Sequence, residues 1–122
     1  MYRVSLIGHI DSAHLLRGYV GPCGSMHGHR WTFRTYYETS TLQIVGFVED
    51  FKDLKTALGN IIDIFDHKVI NEISPFTQVG RNPTAENLAE YTYKMLKLEK
   101  GGDKLVKVRV YESPDSYAEY YE

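Results

Sequence analysis

One cysteine, no long apolar run and no excess of positive charge are the shortages of this 122-residue chain, and each removes a class of function. A single thiol cannot form an internal disulfide, so Cys23 is either buried filler or a thiol kept reduced for use. No apolar stretch approaches the roughly 20 residues that span a bilayer, and Met1-Tyr2-Arg3-Val4-Ser5 does not open a signal-peptide apolar segment. The expectation is a cytoplasmic protein with no membrane partner. The 14 Lys and Arg are scattered and outnumbered by 16 Asp and Glu, for a net charge of -2, which leaves no basic face for nucleic acid. Internal repeats and low-complexity stretches are absent too. With 43% apolar and 25% charged residues, the composition is that of a folded globular protein. The length predicts a single domain over 1–122, with a core that buries roughly two-thirds of the unfolded surface.

Periodicity supplies the elements. From Tyr2 to His14, Tyr2, Val4, Leu6 and Ile10 alternate with polar residues, the period of a half-buried strand, and His14 shares the parity of Ile10. Arg17 to Ser25 carries Gly18, Gly21, Pro22 and Gly24 and reads as a loop. His27, His29, Trp31, Phe33, Thr35 and Tyr37 fall on one parity of a second strand, whose first two inward positions are imidazoles. Leu42 to Glu49 reads as a third strand, in a hairpin with the second. Asp50 caps a helix with a stripe of Phe51, Leu54, Leu58, Ile61, Ile62 and Phe65. Thr84 caps a second helix that presents Leu88, Tyr91, Met95 and Leu98 before Gly101-Gly102. Leu105 to Glu112 forms a strand with Val106, Val108, Val110 and Glu112 on one side, and Tyr117 to Tyr121 adds a short edge strand.

The chemistry concentrates between His14 and His29. His27 and His29, one residue apart on a strand, project from one face with Cα atoms about 6.5 Å apart, a spacing that suits two ligands on one metal. His14 from a neighbouring strand supplies a third nitrogen, which leaves a fourth position open, and imidazole donors point to zinc. His9 lies on the opposite parity and reads as an ordinary histidine. Cys23 admits three readings: a fourth zinc ligand that closes the shell, inert filler, or a thiolate that moves substrate protons. Asp66-His67 ends the first helix, where neighbours do not face each other, so a working pair requires the chain to leave helical geometry there. Glu112 ends an apolar row, where an unpaired charge costs several kcal/mol. It needs either an arginine partner or a ligand with an amidine-like N–H edge.

Together these motifs resemble the 6-pyruvoyltetrahydropterin synthase family, most closely its 6-carboxytetrahydropterin synthase branch of queuosine biosynthesis. Ser12-Ala13-His14 is similar to the family's first ligand motif and Cys23-x-x-x-His27-Gly28-His29 to its cysteine and paired ligands. Val48-Glu49-Asp50-Phe51, Asp66-His67-x-x-Ile70-Asn71, Asn82-Pro83-Thr84-Ala85-Glu86-Asn87, Val108-Arg109-Val110-Tyr111-Glu112-Ser113 and Ser116-Tyr117-Ala118-Glu119-Tyr120 complete the set. The resemblance implies Zn2+ on His14, His27 and His29, and Cys23 as a proton-transferring thiol with Asp66 and His67 as its relay. It also implies Glu112 as the pterin anchor and Thr84 as a substrate-binding position.

The fold it implies is the α+β tunnelling fold: a four-stranded antiparallel sheet with two helices on one face. Sheets join into a barrel in a trimer or hexamer whose sites lie between subunits. The activity implied is zinc-dependent conversion of 7,8-dihydroneopterin triphosphate to 6-carboxy-5,6,7,8-tetrahydropterin, with release of acetaldehyde and triphosphate. Three residues between Cys23 and His27 favour this branch. The rivals are triphosphate elimination to the pyruvoyl product and a non-catalytic zinc or pterin-binding module.

Overall fold

A computed structural model describes residues 1–122. Two long strands, β1 (Tyr2–His14) and β2 (His27–Thr39), are followed by helix α1 (Phe51–Phe65), helix α2 (Ala85–Leu96) and strands β3 (Leu105–Ser113) and β4 (Ser116–Tyr120). Short 3-10 turns lie at Pro22–Gly24, Ile70–Glu72 and Gly102–Lys104. The four strands form one antiparallel sheet in the order β1-β2-β3-β4. Both helices cover the same face of it. Leu6 and Ile10 of β1, Trp31, Phe33 and Tyr37 of β2 and Val108 and Val110 of β3 join the buried residues of α1 and α2 in one core. No helix is long and apolar enough to cross a membrane.

The alternation of β1 and β2 dictates this packing, because residues two apart share a face. On α1, Leu54, Ala57, Leu58, Ile61 and Phe65 are buried at helical spacing. Each large side chain contributes about 1.5–3 kcal/mol on burial. Asp50 caps α1 by accepting from Lys52 N–H at 2.9 Å, and Thr84 caps α2 by accepting from Asn87 N–H at 3.1 Å. His9 lies on the outer face against Thr32 Oγ1.

Three expectations are corrected. Leu42–Glu49 is not a strand: a tight turn links Gly46 N–H to Gln43 C=O at 2.8 Å, with Gly46 at a φ of 93°. Ile44 and Val45 stand exposed on that turn, so β-branched composition misleads where the backbone doubles back. The inward row of β3 also begins one residue earlier than strict alternation predicts. A bulge between Tyr36 and Tyr37 pairs Tyr37 with Leu105 and Tyr36 with Lys107, which turns Leu105 rather than Val106 into the core. Finally, α2 ends at Leu96 and leaves Leu98 exposed.

Candidate functional site

The antiparallel register sets the site. β1 and β2 pair His14 with His27 and Ser12 with His29, so the three inward imidazoles meet at the end of the ladder. Ring centroids are 4.6 Å apart for His14 and His27, 4.8 Å for His27 and His29, and 5.3 Å for His14 and His29. Their ligand nitrogens all lie within 4.8 Å of one another. Trp31 packs against His14 and His29 as an apolar floor, its Nε1–H donating to Ser12 C=O at 3.2 Å.

Hydrogen bonds decide which nitrogens carry protons. His14 Nδ1–H donates to Pro83 C=O at 2.8 Å, and His27 Nδ1–H donates to Ser25 C=O at 2.6 Å. In the neutral rings both Nε2 atoms therefore hold lone pairs, yet they face each other at 3.0 Å. His29 Nε2 is buried without a hydrogen-bond partner. Glu112 brings its carboxylate to the same point, 3.6 Å from His29 Nε2 and 3.9 Å from His14 Nε2. Its ion-pair partners are these histidines, and neither Lys nor Arg reaches it.

Converging lone pairs and a carboxylate repel one another unless a cation sits among them. The donor set fits zinc: three imidazoles at about 2.0–2.1 Å around a tetrahedral ion stand roughly 3.4 Å apart and leave one position open. Fixing the tautomer through the far ring nitrogen is the support such ligands need.

Burial is the largest influence on His14 and His29 and lowers both below the ordinary imidazole value of 6.5, against the opposing pull of Glu112. The sign for stability follows. As pH falls below 6.5 the unfolded chain takes up protons on these residues before the folded chain does, so folding stability is lost on acidification. Metal-free protein should therefore show a falling Tm between pH 7.5 and 5.5, measured after chelation. A flat or rising Tm would contradict this account of the buried rings.

Asp66 and His67 form a second cluster with Asp11. Asp66 leaves helical geometry at a ψ of 136° and His67 adopts a left-handed φ of 57°, so the adjacent side chains turn toward each other. His67 Nδ1 lies 3.0 Å from Asp66 Oδ1, which also accepts from Asp11 N–H at 2.9 Å. That main-chain bond is the leading cause holding the Asp66 carboxyl below the usual range. His67 N–H donates to Asp11 C=O and Ala13 N–H to Lys68 C=O, which lays this segment along the free edge of β1. His67 and His29 consequently line one cavity of about 570 Å³.

Cys23 is half-buried on the Pro22–Gly24 turn, and its Sγ is not among the donor atoms of either cluster. The turn is held close: a Cβ on Gly24 would stand 2.4 Å from Tyr19 C=O, so only glycine fits. Cys23 does not line the cavity shared by His29 and His67. One chain thus unites His14, His27, His29 and Glu112, brings His67 into a cavity that His29 also lines, and leaves Cys23 apart. Residues that periodicity does not reveal are Asn71 and Asn82, whose side chains bond the main chain beyond His14.

The family model for 6-pyruvoyl tetrahydropterin synthase matches residues 3–122. The chain belongs to this family. It is similar to the 6-carboxy-5,6,7,8-tetrahydropterin synthase of Bacillus subtilis, 32% identical over 120 residues that cover 92% of this chain and 80% of that protein. The Aquifex aeolicus protein of the same name is 32% identical over 84% of this chain and 78% of its own length. Family membership and these relatives make the chain an enzyme. The solved 6-pyruvoyl tetrahydropterin synthase of Caenorhabditis elegans superposes with a TM-score of 0.90 over 99% of this chain and 95% of that one, at 22% identity. That likeness confirms the tunnelling fold.

Proposed function

We propose that this family member is a cytoplasmic, zinc-dependent 6-carboxytetrahydropterin synthase. In this reading it converts 7,8-dihydroneopterin triphosphate to 6-carboxy-5,6,7,8-tetrahydropterin, releases acetaldehyde and triphosphate, and serves queuosine biosynthesis. The observation that carries it is the pair of Nε2 lone pairs facing each other at 3.0 Å beside Glu112, a donor arrangement that calls for a cation. The names of the Bacillus and Aquifex relatives and the Cys23-to-His27 spacing favour the carboxy-forming branch.

His14, His27 and His29 would hold the metal, on rings that Trp31 packs against at His14 and His29. Zinc bound there supplies polarisation of the substrate side-chain hydroxyls. Cys23 accepts and returns protons as the side chain is cleaved. Asp66 accepts the His67 Nδ1 proton and so leaves Nε2 free to exchange protons with the thiol. Cys23 lies off the cavity that His67 lines, so the relay is completed between subunits of a trimer or hexamer whose sheets join into a barrel. Thr84 contacts substrate through its hydroxyl, which keeps its hydrogen and a second lone pair while accepting from Asn87 N–H.

Glu112 anchors the pterin, its carboxylate turning from the histidines to meet the amidine edge in a fork. Glu112→Gln should weaken pterin affinity about tenfold or more, the value of one charged hydrogen bond, with one zinc per chain retained on dialysis. Loss of zinc instead would make the carboxylate part of the metal shell. The activity itself is tested by incubating the purified protein with dihydroneopterin triphosphate and weighing the products. Acetaldehyde with the carboxy product supports the reading, and a pyruvoyl product without acetaldehyde replaces it with triphosphate elimination.

A further inference from the structure

The ladder between β1 and β2 ends at His14 and His27, yet the main chain beyond His14 remains fully bonded. Asn71 takes both main-chain groups of Leu15: Leu15 N–H donates to Asn71 Oδ1 at 2.9 Å, and Asn71 Nδ2–H donates to Leu15 C=O at 3.0 Å. Asn82 treats Arg17 the same way, at 3.0 and 2.9 Å. Two side-chain amides at alternate residues thus do what a neighbouring strand's peptides do. Between them, Leu16 N–H donates to Cys23 C=O at 3.2 Å and ties down the loop that carries the thiol. Asn82 is itself braced on α2, its carbonyl accepting from Asn87 Nδ2–H at 2.8 Å and Thr84 N–H at 2.9 Å. The next carbonyl, of Pro83, orients His14.

We propose that Asn71 and Asn82 are positioning residues that lock the Cys23 loop and the His14 ligand into one frame through Leu15, Leu16 and Arg17. Only a neutral amide offers a donor and an acceptor side by side. Aspartate keeps the shape, loses the donor, and sets a carboxylate against the Leu15 or Arg17 carbonyl. Alanine releases both bonds.

The inference rests on Cys23 as the proton-transferring thiol. In zinc-loaded protein, Asn82→Asp should lower kcat about 10–100-fold, the usual range for outer supports of a site, with KM near the parent value. As the loop loosens, alkylation of Cys23 by iodoacetamide at pH 8 should quicken about fivefold or more. Asn71→Asp and Asn82→Ala carry the same expectations and serve if Asn82→Asp does not fold. A lowered Tm with parent kcat and parent alkylation rate would reduce the asparagines to scaffolding and overturn the proposal. So would a fall in kcat with parent alkylation kinetics, because the thiol loop would then not be what they hold. If Cys23→Ala keeps the parent rate, the underlying reading of the thiol fails instead, whatever the asparagine variants do.

Discussion

Cys23→Ala turns over about a thousandfold more slowly than the parent, the middle of the range for losing a proton-transfer group, and still carries one zinc per chain. The thiol Sγ stands outside the three-histidine cluster, so its removal leaves the metal donors intact. The change deletes one small atom from a half-buried turn, which keeps the stability effect small beside the rate effect. Steady-state assay with metal analysis separates the alternatives. A parent rate makes the chain a binding module or shifts the proton transfer elsewhere, and loss of zinc makes Cys23 a ligand.

His27→Ala abolishes both zinc retention and turnover while the fold survives. His27 is the right member of the trio to remove, because its ring is half-exposed and its Nδ1 partner, Ser25 C=O, is open to water. His14 is fully buried against Trp31 and bonded to Pro83, so alanine there would also open a cavity. With structural zinc worth about 10–16 kcal/mol over its ligands, one imidazole accounts for roughly 3 kcal/mol, or more than 100-fold in affinity. Titration calorimetry measures that loss directly, and the rise in Tm that zinc gives the parent should vanish in the variant. Unchanged zinc affinity would dismantle the metal site.

Periodicity revealed most of this fold because one face of each element is buried. The even positions of β1 from Leu6 onward, the odd positions of β2 and the α1 stripe from Leu54 to Phe65 read correctly, whereas Tyr2 and Phe51, at the outer ends of their elements, stand exposed. His14, His27 and His29 were legible for the same reason, since parity alone places them inward at adjoining strand ends. Leu42–Glu49 was not legible: its apolar residues face solvent around a turn, which composition reads as a strand. The bulge at Val106 escaped because a single unpaired residue within β3 turns the strand without leaving a mark on its apolar composition. The departure of Asp66 and His67 from helical geometry could be stated as a requirement, and the two dihedral angles meet it. Asn71 and Asn82 stayed hidden because an amide that pairs with main chain has no periodic signature.

His67 occupies left-handed backbone at a φ of 57°, which costs a residue with a side chain roughly 1–2 kcal/mol. Glycine at 67 would relax that conformation and delete the imidazole facing Asp66. Any selection that ranks variants by heat tolerance alone would drift toward that replacement and discard the ring, so endurance and turnover pull this one position in opposite directions.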